Sequence, residues 1–307
     1  RARYARCDAR GRTLAVVLHA DSARNRLTGI GIISLTYLLF ALLDGSAKWL
    51  VQSVPVIIVV WLRFLSQTVL AAALLFPLRG RALVRTRHLR WHVARGLMFC
   101  AMTGGNFWAL QYLQLTVTAS IFFTVPILIA LMSAPLLGER MDARRWAAIL
   151  AGFAGVLVIV RPGSAAFHPA MLLSMGNAVL YAAFNLMTRK LAAYDSPETI
   201  QFLPAVVASV VLAPFALAVW ASPPGAFEWL LLCLMGVLGG TGHYLLAVAH
   251  RYAPASMLAP FLYQQILYMA AFGYLVFGSV PDAAVWIGAA IVVASGLYLF
   301  ARERRGR

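Results

Sequence analysis

The chain has 307 residues, of which 62% are hydrophobic and 12% charged, against roughly 45–50% and about 25% in soluble domains. A water-soluble globule is excluded. Lys and Arg total 26 against 10 Asp and Glu, a formal net charge of +16, so the position of the basic residues decides between nucleic acid and a membrane surface as their partner.

Residues 1–26 hold seven arginines and no apolar core of the kind a signal peptide needs. They read as a disordered basic cytoplasmic tail, a transit peptide being the alternative, and residues 303–307 read as a second short cytoplasmic tail. Cys7, Cys100 and Cys233 lie far apart with no CxxC pair, which gives neither a disulfide framework nor a zinc motif. His88 and His92 have the i, i+4 spacing of a helical metal pair but no third ligand nearby, so no metal and no cofactor is expected.

From residue 27 on, apolar runs fall at about 27–50, 54–77, 92–112, 117–137, 144–161, 168–188, 200–221, 227–248, 254–277 and 282–301. Each approaches the ~20 residues that cross a ~30 Å hydrocarbon core, and strand-like alternation is absent, so the fold class is an all-α integral membrane protein of ten transmembrane helices. Trp49, Trp91, Trp146, Trp220, Trp229 and Trp286 sit at span ends, where an amphipathic ring meets the membrane–water boundary. With the N-terminus inside, 23 of the 26 Lys and Arg face the cytoplasm, Lys48 and Arg161 lie outside and Arg63 lies within a span. This asymmetry predicts both termini in the cytoplasm, basic residues facing anionic lipid, and no nucleic-acid partner.

The segment around Gly138, Asp142, Ala143 and Trp146 recurs as Gly278, Asp282, Ala283 and Trp286, an offset of 140. Thr118-Ala119-Ser120 likewise matches Pro254-Ala255-Ser256 at an offset of 136. Five spans per copy is an odd number, so the two copies, 27–161 and 168–302, are inverted five-helix repeats, the plan of many secondary transporters with a site between the halves.

These residues resemble a known family. The Leu137-Gly138-Glu139-Arg140 turn, the Gly152 and Gly155 helix ending in Arg161-Pro162, and the Asp44-Gly-Ser-Ala-Lys48 pattern leading to Trp61-Leu-Arg63-Phe64 look like the EamA-type branch of the drug/metabolite transporter superfamily. Ser279 stands in the second repeat where the first has Glu139. The resemblance implies a ten-helix transporter with a central cavity lined mainly by the third, fourth, eighth and ninth spans, moving amino acids or related metabolites by export or exchange without ATP.

Ionisable groups inside a membrane mark function or structural pairs. Asp44 and Arg63 lie at similar depth, either as an ion pair locking the first two spans or, with Lys48 competing for the carboxylate, as a positive cluster at the external mouth that meets a substrate carboxylate. Asn106 and Trp108 of the third span and His243 and Tyr244 of the eighth fall at matching places in the repeats. Phe123 near Pro126, and Tyr263, Gln264 and Tyr268 after Pro260, add polar and aromatic groups beside helix-breaking prolines. An apolar cavity with a few placed polar groups suits a small molecule, while interhelical packing is the competing reading for each residue. Small-xxx-small pairs, among them Ala148 to Gly152 and Gly236 to Gly240, predict close helix contacts.

The reading is therefore a secondary transporter of the inner membrane, a monomer or weak homodimer, most simply for export or exchange of amino acids. The alternative is import of a nucleoside-like or S-adenosylmethionine-like compound. A membrane-embedded enzyme lacks a nucleophile, an acid–base pair and a metal motif at plausible depth, and a channel lacks rows of like polar groups.

Overall fold

The computed structural model describes residues 4–7, 13–16, 22–137, 143–191, 194–253 and 258–305. Two short strands, β1 (Tyr4–Cys7) and β2 (Thr13–Val16), pair antiparallel with Tyr4 opposite Val16 and Cys7 opposite Thr13. The leading segment thus departs from the disordered tail expected of its arginines, its Tyr, Thr and Val supplying strand propensity.

α1 (Ala23–Leu50) starts where the Ser22 hydroxyl accepts the Asn25 N–H and is long enough, at ~1.5 Å per residue, to cross a membrane with a turn or two to spare. α2 (Val56–Arg79) follows Pro55 and stops at Gly80, whose φ of 53° favours glycine; a 3-10 turn (Gly80–Leu83) leads to α3 (Leu89–Tyr112). The fourth span is broken into α4 (Leu115–Phe122) and α5 (Val125–Leu137). Next come α6 (Ala143–Val160), α7 (Ala170–Leu191), α8 (Pro197–Ala218, capped by Ser196) and α9 (Ala226–Tyr252). The ninth span is broken too, a 3-10 segment (Ala259–Gln264) running into α10 (Gln265–Phe277), and α11 (Ala283–Arg305) is the tenth. The expected C-terminal tail is therefore helical through Arg305. The Gly138-Glu139-Arg140 turn, the Pro254-Ala255-Ser256 match and residues 306–307 lie outside the described residues.

Among the described residues, six helical stretches have both the length and the hydropathy to cross a membrane unaided, and the apolar stretches of α6, α10 and α11 are shorter. α3 has the length, but Arg90, His92 and Arg95 near its start dilute it. Both broken spans fall at the prolines singled out above: Pro126 opens α5 and Pro260 opens the 3-10 segment, each removing a ladder hydrogen bond. Around the first break the hydroxyls of Thr118, Ser120 and Thr124 donate to Leu115, Thr116 and Ile121 carbonyls of their own chain at 2.9, 2.7 and 2.7 Å, satisfying acceptors without water.

Helix pairings come in twos. α1 packs on α9 as α7 packs on α3, α2 on α9 as α8 on α3, and α1 on α10 as α7 on α4 and α5, while α2–α8 and α6–α11 pair with their own repeat equivalents. That is the contact map of a pseudo-two-fold axis relating inverted repeats. At the α6–α11 seam a Cβ on Gly155 would stand 2.9 Å from the Gly288 carbonyl, and the Ser295 hydroxyl donates to the Ala148 carbonyl. Shifted by the repeat offset, 155 and 288 become 295 and 148, so these are one contact made twice. One hydrophobic core gathers α1, α2, α3, α8 and α9 around Phe64 and Leu50, and another gathers α4 to α7, α10 and α11 around Phe123 and Ile149; each draws on both repeats.

Candidate functional site

Tyr37, Phe40 and Asp44 lie three and four residues apart on α1 and so share a face. Facing them on α9, the His243 ring centres 5.0 Å from Phe40 and 5.9 Å from Phe99 of α3. One turn further along α1, Asn106 of α3 donates from Nδ2 to Asp44 Oδ1 at 3.1 Å. α7 completes the ring: Phe184 centres 5.4 Å from Phe99 and Tyr181 4.8 Å from Phe122 of α4. Tyr37, Phe40, Asp44, Asn106, Tyr181, Phe184 and His243 are all half-buried although helices of both repeats enclose them. Aromatic and polar side chains of both repeats thus meet at one place and keep some accessible surface, the kind of lining a small-molecule cleft would need.

Arg63 of α2 lies behind that lining, 3% exposed. Its guanidinium is 4.3 Å from the Phe64 ring centre and 4.9 Å from that of Phe99, contacts worth up to ~2 kcal/mol when desolvated. Nε and Nη1 have no hydrogen-bond partner among the described residues. Asp44 is within electrostatic reach, yet among the described residues no Asp44–Arg63 ion pair closes to contact distance. The direct pair expected from depth is therefore absent: Asn106 occupies the carboxylate, and two aromatic faces hold the guanidinium. Lys48 does not compete for Asp44 either. Its Nζ donates to the carbonyls of Leu110 and Leu113 at 2.9 and 2.7 Å, a cation at the C-terminal end of α3 where the helix dipole favours it.

The other expected site residues divide. Trp108 is 55% exposed and lines a shallow apolar groove with Val60, Cys100 and Leu212 on the outer face of the bundle, and Tyr244 is 60% exposed. Neither joins the cleft, because one or two residues along a helix from Asn106 or His243 turn a side chain by ~100° or ~200°. Phe123 is fully buried against Tyr263, rings 5.1 Å apart, and its neighbour Phe122 meets Tyr181 instead. The Tyr263 hydroxyl fills the space that a side chain at Gly296 would need. Gln264 accepts from the Ser34 hydroxyl at 3.3 Å and donates to the Tyr268 hydroxyl at 3.0 Å, tying the ninth span to α1.

The arginine-rich end of the bundle is tied together by side-chain contacts. Arg95 donates to the Ile200 carbonyl at 2.7 Å and to Thr188 Oγ1 at 3.0 Å, with its guanidinium 4.4 Å from the Phe184 ring centre. His92 Nε2 and Thr86 Oγ1 both hydrogen-bond Asp195 Oδ2 at 2.9 Å, and His88 packs on Tyr194. The two histidines thus have separate partners across the α3–α7–α8 junction. Sequence reasoning passed over Tyr37, Phe40, Phe99, Phe184 and Gln67. The available signal was Phe40 one turn before Asp44 and Gln67 one turn after Arg63.

A pseudo-symmetric ten-span bundle with an aromatic and polar cleft between inverted repeats defines a membrane transporter. The chain belongs to the EamA-like transporter family, within the drug/metabolite transporter superfamily: the family matches residues 27–161 and 168–301, once per repeat. A riboflavin transporter of Vibrio cholerae is 34% identical over 226 residues, covering 71% of this chain and 74% of that protein. An S-adenosylmethionine uptake transporter of Rickettsia felis is 26% identical over 286 residues, covering 93% and 96%. A solved crystal structure matches the fold with a TM-score of 0.61 at 22% identity, covering 93% of this chain and 99% of that one.

Proposed function

We propose that this transporter imports a planar aromatic metabolite of the riboflavin class across a bacterial inner membrane by alternating access. The observation that carries the reading is a cluster of rings: Phe40, Tyr181, Phe184 and His243, each partly accessible, gather from both repeats around the buried Phe99, with Asp44 and Asn106 as a polar end. A stacked ring system buries large area against such rings. The similarity to a riboflavin transporter supports this substrate class over the amino acids first expected, whose small side chains need no aromatic stack.

A second reading, uptake of an S-adenosylmethionine-like cation, draws on the same rings as cation–π partners and on the Asp44 carboxylate, and on a relative matched over nearly its whole length. The basic residues orient both termini to the cytoplasm, so cysteines placed at Arg85 and Pro223 label from opposite sides. The chain performs no chemistry on its cargo and acts as a monomer or weak homodimer.

The deciding experiment is counterflow in proteoliposomes with labelled riboflavin, S-adenosylmethionine and leucine. Riboflavin exchange that falls at least about tenfold in Phe40→Ala supports the reading. Exchange of leucine or S-adenosylmethionine without riboflavin overturns it.

A further inference from the structure

Arg63 and Gln67 stand one turn apart on α2, and both are buried. The Arg63 guanidinium and the Gln67 carboxamide hydrogen-bond to none of the described residues, and Arg63 Nε, Arg63 Nη1 and Gln67 Oε1 are also closed off from solvent. Buried donors and acceptors are normally paired, because leaving them so forfeits their hydration. The two groups converge on one place: a Cβ on Gly239 of α9 would stand 3.2 Å from Arg63 Nη2 and 3.5 Å from Gln67 Oε1. Gly236 and Gly240 continue the same face over Ser66 and Gln67. Glycines let α9 lie directly on these polar ends and cover them. Phe99, which stacks on Arg63, also borders the cleft through His243 and Phe184, so the pair lies one side chain away from it.

The chemistry that would satisfy this set is specific. A guanidinium only donates, whereas a carboxamide offers one acceptor and one donor side by side. The complement of a carboxamide is a ring N–H next to a carbonyl; an N–H flanked by two carbonyls is matched whichever way the amide is turned, and the guanidinium then takes the other carbonyl. A carboxylate brings acceptors alone and leaves Gln67 Oε1 unmet.

We propose that Arg63 and Gln67 form the specificity-determining end of the substrate site, reading a carbonyl–NH–carbonyl edge such as the pyrimidine half of a flavin, with the glycine face of α9 as its cover. The inference deepens the riboflavin-class reading and rests on it for the choice of probe. Sites built to hydrogen-bond a substrate N–H reject analogues lacking it, because their own buried groups are then left unpaired.

The test measures binding to the purified full chain in nanodiscs for two matched pairs: riboflavin with N3-methylriboflavin, and uridine with N3-methyluridine. Methylation removes the edge N–H and leaves both carbonyls. Wild type should bind the unmethylated member at least about tenfold more tightly, and Gln67→Met should lose that preference. Riboflavin and its methyl derivative bound equally would overturn the edge site and leave riboflavin transport standing. A preference within the uridine pair without flavin binding would uphold the edge site and overturn the flavin reading. Binding of none of the four would overturn both. The wild-type comparison decides even if Gln67→Met fails to fold.

Discussion

Gly236 is where α9 comes closest to α2, and its replacement can be worked through from distances. A Cβ there would stand 2.5 Å from the Gln67 backbone nitrogen and 2.7 Å from the Ser66 carbonyl carbon, with Ser66 Oγ nearer still. Ordinary contact needs about 3.5 Å. Two of the three obstacles are backbone, so no rotamer change clears them and Gly236→Ala must push the helices apart by roughly 1 Å locally, at about 1–3 kcal/mol. Gly104 on α3 has nothing within 4 Å of its would-be Cβ, so Gly104→Ala gains about 0.5–1 kcal/mol of helix propensity. The two alanines should therefore differ by about 1.5–4 kcal/mol in opposite directions. Thermal unfolding of the purified chain in detergent, followed by tryptophan fluorescence, checks this. Adding Ser66→Gly should restore only part of the loss, since the backbone obstacles stay. Equal melting of the two single variants would refute the claim that α9 rests on α2 through its glycine face.

Asp44 and Arg63 attract each other without touching, so Asp44→Asn or Arg63→Met leaves a buried charge without its counter-charge and should lower the melting temperature. The double variant should therefore melt higher than either single one, and additive losses would show the two charges to be uncoupled. Asp282 caps α11 by accepting the Val285 N–H at 3.0 Å and pairs with Arg161. Val285 first, then Arg161, hold its carboxyl below the usual carboxylate range. A lowered folded pKa stabilises above the ordinary value of about 3.9 and loses that contribution as pH falls through the folded value. Asp282→Ala should cost about 1 kcal/mol at neutral pH, with the difference from wild type vanishing in acid; a pH-independent difference in melting would contradict the assignment.

The spans and the repeat were legible because hydropathy and charge are summed over some twenty residues, where single errors average out. Asn106 and His243 were legible as polar groups deep in apolar helices, and the structure brings both to α1. Their neighbours Trp108 and Tyr244 were not, since a residue's bearing around a helix depends on which face the bundle covers, and local sequence does not carry that. Phe122 meets Tyr181 while Phe123 meets Tyr263, because adjacent residues at the end of α4 point ~100° apart. Lys48 binds carbonyls of α3 some sixty positions away, a pairing that only the folded bundle reveals. Tyr37 and Phe40 looked like ordinary core, and their partial accessibility distinguishes them, whereas Phe99 is core that packs behind His243 and Phe184.

The seam between α6 and α11 has a consequence for motion. Its two halves, Gly155 on Gly288 and Ser295 on Ala148, trade places under the pseudo-two-fold, so the seam as a whole maps onto itself. If the outward-open and inward-open forms arise when the repeats swap conformations, every contact away from the axis must change identity, while the seam is the same object before and after. On that scheme the seam, like the self-equivalent α2–α8 pair, would serve as an axle, the part of the machine about which the rest turns and where a rigid tether would cost the protein nothing.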